Sequence, residues 1–198
     1  MKLTNTLGLA AVAAMALMAF ASTASATTLE TNGVKVTTAE TLKASLVGST
    51  TLRSTGGEFA NTCKASTVEG TTTSPFTGTQ VHGNVSTLSF STCTHEKVVV
   101  NTKGSLSVEH IPGITNGTVR SQGASLTLPV TVFGTVWVVT CTTAGGAGTH
   151  IGNLAGKASG TNVTHINVLA VLSCSGLLPT ANWEGTYVIT GEALGVVA

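Results

Sequence analysis

The chain has 198 residues, 42% of them hydrophobic but only 9% charged and 4% aromatic, with a formal net charge of +1. So neutral a chain lacks the basic footprint that nucleic acid or an anionic membrane surface would require, and no nucleic-acid partner is expected. Aspartate is absent altogether, which rules out an aspartic dyad and a Ser-His-Asp triad.

Residues 1–26 read as an export signal. Lys2 supplies the positive start, Leu7 to Ala21 the apolar core, and Ala24-Ser25-Ala26 a small-x-small cleavage site. The apolar run is too short for a spanning helix and no other long one follows, so no membrane span is expected after cleavage. Without Lys2 the chain carries eight Lys plus Arg against eight Glu. The expected location is secreted, extracellular or periplasmic. Residues 27–198 then suit a single domain with a sizeable core.

Threonine, valine and glycine dominate this part, and helix-favouring residues are few, which predicts an all-β domain. Asn32-Gly33 predicts a hairpin within Leu29 to Thr38. Thr41 to Arg53 reads as strand with a bulge at Gly48, a helical turn over its first half being the alternative. The segments "KASTVEGTT" and "TQVHGNVSTLSF" pair around the turn from Pro75 to Gly78. "EKVVVNT" and "SLSVEHI" follow, separated by a turn near Lys103-Gly104. Ser125 to Cys141 is the longest β-rich run, with Pro129 marking an edge or a bend. The last strands are "THIGNLAG", "TNVTHINVLAVLS", "NWEGTYVIT" and "EALGVV". Ten or more short strands with regular turn signals predict an antiparallel β-sandwich, immunoglobulin-like or jelly-roll-like. An outer-membrane barrel fits less well, because aromatics are too sparse for two girdles.

Two of these strands end on cysteines, Cys93 and Cys174. In an exported chain four cysteines favour disulfides, with three possible connectivities. A turn centred near Gly78 sets a register that places Cys63 opposite Cys93. A turn at "GKASG", near Lys157 and Ala158, places Cys141 opposite Cys174. Each bridge then staples the open end of a hairpin, and closing a loop of about thirty residues contributes roughly 3–4 kcal/mol. The two cysteine-ended strands also resemble one another, as a diverged duplication or as ordinary hairpins of similar composition.

No catalytic constellation emerges. A Gly-x-Ser-x-Gly elbow is missing, and Glu58, Glu69, Glu96, Glu109 and Glu184 are scattered. The expectation is a non-enzyme without cofactor. The register that pairs Cys141 with Cys174 also sets His150 opposite His165, at about 5 Å between Cβ atoms. Two ligands rarely suffice for zinc, so no metal is assigned and these histidines stay weak candidates. Trp137, Trp183 and Tyr187 are candidate ligand-binding aromatics, with core packing as the plainer fate.

The segments "CKASTVEGTT", "VHGNVSTLSFSTC" and "NWEGTY", with the later pair Cys141 and Cys174, resemble a group of small secreted bacterial Thr/Gly-rich β proteins of unknown function. The likeness covers Cys63 to Tyr187. A fainter similarity, in the leading cysteine and the Thr/Ser/Gly-rich strands, is to the exported proteins labelled activators of alkane oxidation, which implies a role at an apolar interface. Neither resemblance supplies a catalytic residue.

The expected function is a structural, adhesive or matrix-type protein of the bacterial cell surface, in contact with surface or matrix components. The alternative is a binding module for a carbohydrate or an apolar small molecule. The segment Thr27 to Thr38 alternates Val34 and Val36 with polar residues and precedes the first cysteine. It could add to a sheet edge of a second copy, or complete its own sheet.

Overall fold

The computed structural model describes residues 26–73, 76, 78–95, 97–114, 116–156, 164–176, 178–190 and 194–198. Residues 1–25 of the expected export signal, Pro75 of the turn expected from Pro75 to Gly78, the turn around Lys157 and Ala158, and Glu96 lie outside them. All regular structure among the described residues is β. The strands are β1 (Thr28–Thr31), β2 (Val34–Lys35), β3 (Thr41–Ser54), β4 (Ala60–Thr72), β5 (Gln80–Cys93), β6 (Val99–Thr102) and β7 (Ser105–His110). They continue with β8 (Gly117–Gln122), β9 (Ser125–Val132), β10 (Thr135–Thr142), β11 (Thr149–Ala155), β12 (Thr164–Cys174), β13 (Thr180–Thr190) and β14 (Leu194–Val197).

The expected sandwich is replaced by a barrel. Strands β3, β4, β5, β7, β8, β11, β12 and β13 pair in that order, each antiparallel to the next, and β13 pairs back onto β3. Above the waist, a meander whose last strand meets its first has no edge to expose, whereas the two sheets of a sandwich keep four. Composition and turn spacing are the same for both, so nothing local separates them.

Below this ring three strand paths run on. The register of β7 against β8, Ser105 opposite Gln122, continues into β6 against β9, Thr102 opposite Ser125. Strands β6 and β7 are therefore one path with a break at Lys103-Gly104, where a turn was expected. In the same way β8 runs on into β9 past Gly123-Ala124. Both β10 and β11 lie along β12, with residues 143–148 bulging out between them. The molecule is thus eight long paths with two storeys and a waist. Gly104 is needed there: its φ is +68°, and a Cβ would come within 2.2 Å of the Gln122 carbonyl oxygen.

Alternation does the sorting of side chains. In β13, Ala181, Trp183, Tyr187 and Ile189 point inward, and in β12 Val168, Ala170 and Leu172 do. The outward positions of β3, β4 and β5 include Lys43, Arg53, Lys64, Thr67, Thr71, Asn84 and Ser89. That is the reverse of the apolar-out, polar-in pattern of a lipid-embedded barrel.

Both bridges form as expected, Cys63–Cys93 and Cys141–Cys174. They staple the lower storey, and they fit an oxidising environment. The first follows the predicted register of β4 and β5, disturbed only by a shift at Glu69/Gly70. The second sits at the short β10–β12 pairing; the β11–β12 register differs because residues 143–148 intervene. The bulge expected at Gly48 appears as a register shift between Ser45 and Thr50.

At the upper end β14, β1 and β2 form a separate three-stranded sheet. Asn32 and Gly33, both at positive φ, turn the β1–β2 hairpin as predicted. Segment 27–38 is thus paired within its own chain. Leu29, Leu194 and Val196 are buried beneath this sheet. The Thr27 amide donates to the Gly78 carbonyl (2.9 Å), and the Leu194 amide to Thr164 Oγ1 (2.7 Å), tying the cap to the β4–β5 turn and to the start of β12.

Candidate functional site: the apolar lumen

The upper storey is hollow. Beneath the cap lies a cavity of about 130 Å³, whose wall is chiefly Val, Leu and Ile side chains such as Leu29, Val68, Val108, Val119, Leu154 and Ile189. The lower storey holds only about 20 Å³, between Leu52, Phe90, Val98, Leu126 and Trp183.

Trp183 is the floor between the two. Its ring makes edge contacts with Phe90 (5.9 Å between centroids) and with Tyr187 (6.3 Å). Its indole N–H donates to Thr50 Oγ1 at 2.8 Å, and Thr50 Oγ1 in turn donates to the Glu184 carbonyl at 2.7 Å. The Tyr187 hydroxyl donates to Ser66 Oγ at 3.0 Å. Burial pushes the Tyr187 phenol above its ordinary value, with the Ser66 bond pulling the other way, so it stays protonated at neutral pH. The polar tips of both rings are satisfied by the wall, and no described buried side-chain polar atom is left without a partner. What faces the cavity is therefore chiefly hydrocarbon.

The sequence candidates are divided by the fold. Trp183 and Tyr187 come together in the lumen. Trp137 lies elsewhere, about half exposed on the β9–β10 hairpin. The expected facing of His150 and His165 does not occur: His150 pairs with Arg120 on β8, and His165 with Ala155 and Val188. The cause is the same excursion at 143–148, which shifts β11 along β12 relative to the cysteine register. Among the described residues no group of three His, Cys, Asp or Glu is placed to hold a metal.

The described glutamates stay apart. Glu69 sits on β4 beside Lys43 (2.7 Å), whose hydrogen bond and charge hold the carboxyl below its ordinary value. Glu58, in the β3–β4 turn, is lowered by its backbone hydrogen bond and by Ser54. Glu109 on β7 accepts from Gln80 at 3.3 Å.

Sequence reasoning missed the aliphatic lining, because a Val or Leu facing a cavity has the same pattern as one facing a filled core. It also read Lys103 as a turn residue only. No protein family, curated protein or solved structure matches the chain.

Proposed function

We propose that the protein is a non-enzymatic binding module that takes up an apolar small molecule in the upper lumen. The cavity carries this reading: about 130 Å³ of hydrocarbon-lined space in a barrel whose other half is packed. A dry cavity of about 150 Å³ lined by Leu, Ile and Phe accepts benzene, so the volume suits a single ring or a short alkyl chain. Small eight-stranded barrels either fill their interior with side chains or hold one small ligand, and this one does the first below the waist and the second above it. Export to an oxidising compartment, with two stapling bridges, suits a carrier or scavenger outside the cell.

Methyl NMR tests the reading. Titration with benzene or hexane is expected to shift the methyls of Leu29, Val119 and Ile189 while leaving Leu126 and Leu128, which lie below Trp183, unmoved. Ala44→Leu, projecting into the same space, should abolish the shifts in a folded protein. Absence of any shift in the wild-type protein at ligand saturation sinks the proposal.

A structural or adhesive role keeps one specific support. The β9–β10 hairpin turns through Phe133, fully exposed at φ +49°, and Gly134, and it leaves Val136, Trp137 and Val138 in solvent. A bulky apolar residue in that conformation is unfavourable for folding alone. If the tip attaches to apolar surfaces, Phe133→Asn with Trp137→Ser removes adsorption to alkyl-coated beads. Equal retention of variant and wild type removes this reading.

A further inference from the structure

We infer that the lumen's ligand is an amphiphile, an apolar tail with one anionic head group, and that Lys103 holds the head at a window in the barrel wall; this rests on the lumen-binding reading above. The window follows from the strand pairing. Along its β7 side β5 has ladder partners only from Gln80 to Asn84. One more bond, from the Val85 amide to the Gly104 carbonyl (3.2 Å), closes that ladder. Beyond it β6 pairs with β9 and not with β5. The wall is thus unzipped at the waist.

Side-chain exposure agrees. Val85, Leu88 and Leu106 line the cavity, yet each is only half-buried, whereas Val81 and Val119 further up are fully buried. The upper mouth is covered by Leu29 and Leu194, and Trp183 with Phe90 forms the floor. The side opening is therefore the route by which hydrocarbon reaches solvent.

Lys103 stands on its rim. It lines the cavity, is exposed, and occupies the break between β6 and β7. Among the described residues the ion pair is Lys43–Glu69, and no described carboxylate pairs with Lys103. A lone ammonium beside an apolar slot complements a carboxylate, or an equivalent sulfate, on a tail of a few carbons. A neutral hydrocarbon would leave that charge unused.

The test compares pentanoate, pentyl sulfate and pentanol, whose tails match the cavity, on wild-type protein and on Lys103→Met, by methyl NMR titration at low and high salt, with circular dichroism to confirm folding. The expected result is that Lys103→Met weakens pentanoate and pentyl sulfate about twofold to fivefold, the size of a rim ion pair, while pentanol binding is unchanged. High salt should reproduce that loss in the wild type. If the acid-to-alcohol preference is the same in Lys103→Met, the head-group assignment is wrong while the lumen reading stands. If none of the three binds the wild type, the lumen reading itself fails.

Discussion

The two storeys of the barrel are built from the same eight strand paths, yet they solve the interior differently. The lower one is plugged by Trp183, Phe90, Leu126 and Leu52 and stapled by both disulfides, which leaves about 20 Å³. The upper one is lined by mid-sized aliphatic residues, carries no bridge, is closed by a separate small sheet, and keeps about 130 Å³. Eight strands enclose a width that large side chains fill and Val or Leu side chains do not. The lesson is a division of labour: covalent and aromatic packing below holds a wall whose upper half can remain hollow.

The largest test removes the staples. Reduction of both bridges should cost about 3.6 kcal/mol for each under the loop-entropy account, read as the fall in urea midpoint. The comparison sharpens if, near threshold, hydrogen exchange speeds up first in β6, β9 and β10 and only later in β7 and β8. Uniform loss would mean the storeys are one cooperative unit.

Next comes the waist. Gly104→Ala forces a side chain into left-handed backbone against the Gln122 carbonyl, and should destabilise by roughly 2 kcal/mol or more in the same assay. A cost no greater than at an exposed loop glycine would show that the break between storeys is soft.

The most direct comparison is a matched pair of insertions. Ala44 and Ala181 are both buried, one beside the cavity and the other in the packed half. Ala181→Leu is expected to cost about 1–3 kcal/mol through overpacking, whereas Ala44→Leu should be neutral or stabilising because it fills existing space. Equal penalties would contradict the hollow upper storey.

The smallest effect lies on the outer face, where Lys43 lowers the Glu69 carboxyl. A carboxyl whose folded value is depressed adds stability above its unfolded value and loses it as pH falls through the folded one. Lys43→Met should therefore flatten the decline in thermal midpoint on acidification. An unchanged acid profile would show the pair contributes nothing.

Much of the fold was legible in the residues. The Asn32-Gly33 hairpin, the β4–β5 register that joins Cys63 to Cys93, and the bulge near Gly48 depend on turn geometry and on a period of two, which are local. The errors share one origin, in long-range placement. The Lys103-Gly104 break looks like a turn, but its register with Gly123-Ala124 makes it a kink in a continuing path. The His150–His165 pairing extended a hairpin register through residues 143–148, whose excursion no local pattern announces. Trp183 and Tyr187 were named as aromatics, yet the cavity above them is made of residues that look like any core.

By itself the sequence determined the class, the inward and outward faces and the partners of the cysteines, since alternation, turn chemistry and hairpin register act over a few residues. Only the tertiary structure decided that β13 returns to β3 and closes a barrel. It alone made the upper half hollow and set Lys103 at a gap in the wall. Closure joins strands more than a hundred residues apart, and a cavity is the space left when every wall has been placed; neither is a property of any one segment.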